Sequence, residues 1–236
     1  MSLSNPTQST PAQRFFKWAG GDGNVVWWDK DAEKQLAVPL PFRFIVLDEL
    51  STLAGYSEKD QSGIWANEVR NIKGDVLVAR TRAGVIGEGT YENLFEAKAR
   101  GAKYARSIYI AYQDATDPTT WVIGNLKVAG AAVGAWFDFR RKINVEEFGV
   151  ILSGSTVEKK GATTFHVPDF GSFEIEATDM EVAVELDRQL QDYLAKSLTS
   201  RPGGTTEEQR LVEGAQALRE ELTADGEELD LSQIPF

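Results

Sequence analysis

The sequence predicts a mainly β fold with minor α: a small antiparallel barrel with added helices, followed by a disordered acidic C-terminal tail. Three observations carry this. Short β-type runs bounded by Gly and Asp turns recur at 24–28, 42–47, 63–71, 76–81, 102–112, 119–127, 148–157 and 163–167. Two helical segments interrupt them: 90–100, with Leu94, Phe95 and Lys98 at helical spacing before Gly101, and 131–143, with Ala132, Trp136, Phe139 and Ile143 on one stripe. After the strands, the capping box Thr178-Asp179-Met180-Glu181 opens a helix whose Ala183, Leu186, Leu190, Tyr193, Leu194 and Leu198 share one face, as a helix docked on a sheet requires. Arg201-Pro202-Gly203-Gly204 then breaks the chain, and a second capping box, Thr206-Glu207-Glu208-Gln209, starts a short helix with the stripe Leu211, Ala215, Leu218 and Leu222. The expected organisation is a disordered arm at 1–13, one domain at 14–200 and an acidic tail at 201–236.

The chain has 236 residues, 42 % hydrophobic and 10 % aromatic, enough to bury a core. No apolar run is long enough to span a membrane. The Ser/Thr/Pro/Gln-rich start lacks the apolar region of a secretory signal, so a cytoplasmic location is expected. Cysteine is absent, which removes disulfides and thiol chemistry. The net charge of −11 is unevenly spread. Between residues 70 and 142, twelve Lys/Arg face seven Asp/Glu, a net of +5; between 177 and 236, five face fourteen, a net of −9. A local basic field can still meet phosphates although the whole chain is acidic.

Catalytic chemistry is poorly represented. The single histidine, His166, lies in an apparent strand between Phe165 and Val167, where a structural role is expected. One histidine with no cysteine cannot make a conventional zinc site, and no spacing supports a catalytic triad. Gly84-Val85-Ile86-Gly87-Glu88-Gly89 lacks the Lys-Ser/Thr of a P-loop and reads as a hairpin turn. Asp169 with Glu174 and Glu176 could hold magnesium, but Phe173-Glu174-Ile175-Glu176 alternates as a half-exposed strand does. The expectation is a protein that is not an enzyme, with no cofactor and no metal.

Binding chemistry is present. Sequence-independent binding of single-stranded nucleic acid needs cations for phosphates and flat rings on which bases stack. The middle of the chain interleaves the two. Alternation over 102–113 places Tyr104, Ile108, Ile110 and Tyr112 toward the core and leaves Lys103, Ser107, Tyr109 and Gln113 open. The same reasoning points Val122 and Leu126 inward and Trp121, Asn125 and Lys127 outward. Trp65, Tyr109 and Trp121 are therefore the stacking candidates, and Arg70, Arg80, Arg82, Lys103, Arg106 and Lys127 the phosphate candidates. Arg140-Arg141-Lys142 ends a helix, where cations also complement the dipole. An OB-like antiparallel barrel is the commonest small barrel that handles single strands.

The last ten residues, Glu227-Glu228-Leu229-Asp230-Leu231-Ser232-Gln233-Ile234-Pro235-Phe236, resemble the C-terminal tip of bacterial single-stranded DNA-binding proteins, an acidic run closed by Ile-Pro-Phe. The barrel-then-acidic-tail layout, with 62–68 and 101–105, is similar to phage-encoded OB-type members of that group. The resemblance implies a chain that binds single-stranded DNA and recruits replication or recombination proteins through Asp230, Ile234, Pro235 and Phe236; a homo-oligomer is compatible with the sequence, which does not specify the oligomeric state. It implies that the terminal Phe enters an apolar pocket while its carboxylate meets a basic side chain. A strand-annealing recombination protein and a virion or scaffold assembly protein are the alternatives.

Overall fold

A computed structural model describes residues 10–29, 31–114 and 117–199. Eleven strands and three helices run in the order β1 (Arg14–Ala19), β2 (Asn24–Asp29), β3 (Lys34–Ala37), β4 (Phe42–Ser57), β5 (Ser62–Trp65), β6 (Leu77–Thr81), β7 (Gly84–Gly89), α1 (Phe95–Ala99), β8 (Ala102–Asp114), β9 (Asp117–Ala129), α2 (Ala131–Arg140), β10 (Phe148–Lys160), β11 (Thr163–Glu174) and α3 (Ala177–Thr199). The strands form one open mixed sheet ordered β3-β2-β1-β9-β8-β4-β5-β6-β7, with β10 joined to β4 and β11 to β10. The described residues are thus mainly β with three helices. The sheet is not purely antiparallel: β1 runs parallel to β9, with Phe16 opposite Leu126.

β4 organises the sheet. It pairs with β8 from Phe44 to Gly55, through an irregularity between Val46 and Asp48. Its other edge takes β10 at Phe42–Phe44 and β5 at Ala54–Ser57. Such a bulge bends a strand and increases its twist, which lets the two ends of β4 serve different neighbours.

One face of the sheet encloses the main core. Phe16, Phe42, Phe44, Ile108, Ile110, Tyr112 and Leu126 meet Trp136 and Phe137 of α2 there. Phe16 and Tyr112 pack edge to face at 5.0 Å between ring centroids. Gly124 permits this approach, since a Cβ at that position would stand 2.8 Å from Tyr112 Cε1 and 3.0 Å from Phe16 Cε2. α2 begins after Gly130, whose φ of 60° suits glycine at the sharp exit from β9.

The opposite face is partly covered by α3. Leu190 and Leu194 pack with Leu50, Tyr109, Ile123 and Ala12, and Ala183 packs with Ile45 and Ala111. The expected docked helix is present, starting at Ala177, so Thr178 lies in its first turn. Polar contacts fasten it. Arg70 donates to both oxygens of Asp48 (3.1 and 2.8 Å) and to Gln191 Oε1, while Gln191 donates back to Asp48 at 2.9 Å.

Several expectations need correction. The run at 42–47 continues to Ser57, and the run at 63–71 pairs as a strand only to Trp65. Gly84–Gly89 is a strand rather than a turn, and α1 occupies only Phe95–Ala99 of the expected 90–100 helix. Residues 10–13 are not a loose arm: Ala12 is buried, and the Gln13 N–H donates to the Ile123 carbonyl at 2.8 Å. The second capping box and its helix lie outside the described residues. Among the described residues, no helix is long and apolar enough to cross a membrane.

The docking of α3 has a measurable worth. Leu190→Ala removes a fully buried side chain from the interface between α3 and the sheet. A loss of about 2–5 kcal/mol is expected in chemical denaturation.

Candidate nucleic-acid interface

The face carrying α3 is covered at one end of β4 and open at the other. Along this side of β4, Ile45 and Leu50 lie beneath α3, whereas Ala54 and Tyr56 lie past its reach. A cross-strand row starts there. Lys103 on β8 pairs with Ala54, Ala54 with Trp65, Trp65 with Arg80 and Arg80 with Val85. Register partners point to the same side of a sheet, so these five side chains share one face. Tyr56 joins them, because its partner Gly63 lies two residues from Trp65.

The row is exposed: Trp65 is 43 % and Tyr56 50 % accessible, and Lys103, Arg80 and Val85 are exposed beside them. Arg82 stands exposed in the turn after β6, its backbone N–H held by Ser62 Oγ at 3.1 Å. Arg80 and Arg82 engage no carboxylate among the described residues. Two rings and three cations thus occupy the outer surface of β4–β8. Their cause is local. Ser62, Ile64, Leu77, Ala79 and Thr81 are buried toward the other side, and period-2 alternation turns Trp65 and Arg80 outward.

Four of the sequence candidates therefore come together: Trp65, Arg80, Arg82 and Lys103. The other five do not join them. Tyr109 is only 2 % accessible beneath α3, and its hydroxyl donates to Glu68 at 2.8 Å. Ser107 donates to the same carboxylate and accepts from Asn125 at 2.7 Å, so the strand face expected to be open is a buried polar network. Trp121 packs against the α3 side of the sheet and donates to Asp179 at 2.9 Å. Arg70 is spent on Asp48 and Gln191.

Arg106 belongs to a half-buried ion network. Its Nε donates to Glu49 at 2.9 Å and its Nη1 to Ser51 at 2.9 Å, while Arg140 and the Trp136 indole donate to the same Glu49 carboxylate. A carboxylate taken out of water needs such partners; Arg106 and Arg140 are consumed in supplying them. Lys127 lies elsewhere on the face, as the register partner of Lys17. Burial pushes its ammonium below the usual lysine range, and the Glu68 carboxylate opposes that shift.

Tyr56 and Val85 escaped the sequence reading. A longer β4 would have exposed Tyr56 through its alternation with Leu53 and Ser57. Val85 was hidden inside a glycine-rich stretch taken for a turn. His166 is tied into its surroundings: its Nδ1 lies 3.0 Å from Ser155 Oγ, its backbone N–H donates to the Gly20 carbonyl, and its own carbonyl accepts from Trp18 Nε1. Asp169 accepts from Thr156 at 2.9 Å, and no group of three or more potential metal ligands occurs among the described residues. Asp230, Ile234, Pro235 and Phe236 lie outside the described residues. No family model, curated protein or solved structure matches this chain.

The two classes of arginine should separate on mutation. Arg106→Ala leaves Glu49 with Arg140 and Trp136 alone and is expected to cost on the order of 2 kcal/mol in chemical denaturation. Arg80→Ala, at an exposed and unpaired position, should change stability by less than about 0.5 kcal/mol.

Proposed function

We propose that this chain binds single-stranded DNA without sequence preference, as a binding protein rather than an enzyme. The observation that carries this reading is the exposed row of Lys103, Trp65 and Arg80, flanked by Tyr56 and Arg82. Rings offer every base a π-face, and the unpaired guanidiniums offer each phosphate a charge-assisted hydrogen bond. Stacking and phosphate contacts are blind to base identity, so sequence tolerance follows from the residue types.

An OB-like barrel is part of the proposal. In its support, β4 pairs with both β8 and β10, β8 with β9, and β10 with β11, while α2 connects β9 to β10. That connectivity suits a partly open, five-stranded Greek-key barrel. The stretch from β5 to α1 is then an insertion between its first two strands, and it carries most of the exposed row. Recruitment of replication or recombination proteins through Asp230, Ile234, Pro235 and Phe236 completes the reading, on the strength of the sequence resemblance alone.

Fluorescence anisotropy with labelled oligo-dT and with duplex, at two salt concentrations, tests it. Single strands should bind more tightly than duplex, and affinity should fall as salt rises, because each phosphate contact releases counterions. Trp65→Ala should weaken binding by about 1–3 kcal/mol at unchanged melting temperature. Equal affinity for both forms, or a salt-independent constant, overturns the proposal.

A further inference from the structure

A second aromatic patch occupies the other wing of the same face. Phe15 and Trp28 are 55 % and 59 % accessible. Phe15 is the register partner of Asn125, and Asn125 of Tyr109. β8 pairs without irregularity from Lys103 to Tyr109, so Phe15, Tyr109, Lys103 and Trp65 all lie on one side of the sheet. Trp28 joins Phe15, because the preceding Trp27 pairs with the inward-facing Phe16.

Two residues along β1 from Phe15, the exposed Lys17 sits directly beside Lys127 of β9. Like charges on neighbouring strands at the same register repel. The carboxylate nearest in effect to Lys127 is Glu68, which already accepts hydrogen bonds from Ser107 and Tyr109. A further anion between the two ammoniums would relieve the repulsion. Paired cations next to two exposed rings repeat the chemistry of the Trp65–Arg80 row, in residues from a different part of the chain.

We infer that Phe15, Trp28, Lys17 and Lys127 form a second contact for the same strand of nucleic acid, which crosses the sheet from β6 toward β2. This inference rests on the single-strand reading above. The occupant is single-stranded nucleic acid because the patch sets two exposed rings beside two ammoniums at one register, the combination that stacks bases and meets phosphates. Four strand spacings separate β1 from β5, about 19 Å, and Lys103 lies four residues along β8 from the Ser107 that pairs with Lys127, about 14 Å. The two contacts are therefore several nucleotides apart. A short oligonucleotide reaches one of them; a longer one reaches both.

The test uses the full chain with labelled oligo-dT of about 4 and about 16 nucleotides, the span of site sizes expected for such a domain. Trp28→Ala and Lys17→Gln should each weaken the long oligonucleotide roughly fivefold or more and leave the short one unchanged. Trp28→Tyr should retain most of the affinity, and Trp65→Ala should weaken both lengths. Wild-type affinity of Trp28→Ala for both lengths, at normal melting temperature, overturns the second contact alone. Wild-type affinity of Trp65→Ala overturns the reading beneath it. Equal weakening of both lengths by Trp28→Ala overturns the two-contact arrangement. A lower sedimentation mass for Trp28→Ala makes the patch an interface between copies and also overturns the inference.

Discussion

The pairing of β4 on both its edges sets the conditions for everything else. One strand of sixteen residues holds β8 along one side and divides the other between β10 and β5. Each residue of such a strand must commit to one face, and a slip of one position would exchange the faces. On the inner side, Phe42, Phe44 and Leu53 commit to the core with α2. On the outer side, the character of the strand changes along its length, from Ile45 and Leu50 under α3 to Ala54 and Tyr56 in the open. The transition between them fixes where a binding surface can exist.

The cations sort by the same geometry. Arg70, Arg106 and Arg140 lie where the sheet is covered by a helix, and each is engaged by a carboxylate that would otherwise be stranded away from water. Arg100 ties α1 to Asp60 in the same manner. Arg80 and Arg82 project from the small insertion, which no helix covers on that side. Their charge is left for solvent or for a ligand. A protein with a net charge of −11 can still offer a phosphate a local basic field where cations outnumber acids on one surface; here Arg80, Arg82 and Lys103 face the exposed Glu88, which pairs with Val78 two residues from Arg80.

Much of the fold was legible from periodicity. The alternation in β8 assigned Tyr104, Ile108, Ile110 and Tyr112 to the core side, and the stripe Ala183, Leu186, Leu190 and Leu194 described a helix that needs a sheet to dock on. Such a stripe must cover a face, and the face it covers is that of Tyr109 and Trp121. Alternation distinguishes the two sides of a strand but cannot say whether a second layer lies on one of them. Arg106 was misassigned for a related reason. Its parity places it with Tyr104 and Ile108 on the inner side, and a charge there signals a partner such as Glu49, which is 57 residues away in the chain. Trp65, Arg80 and Lys103 were found because their faces have no second layer. Their adjacency depends on β5 and β6 pairing across a connection of eleven residues, which no local pattern specifies.

The central claim is that nucleic acid contacts the uncovered part of the outer face and not the part beneath α3. Ultraviolet cross-linking of oligo-dT to the intact chain, followed by mapping of the modified peptides, addresses this directly. The account predicts adducts at Tyr56 and Trp65. Adducts confined to Tyr109 and Trp121, or a complex that forms only when α3 is displaced, would contradict it.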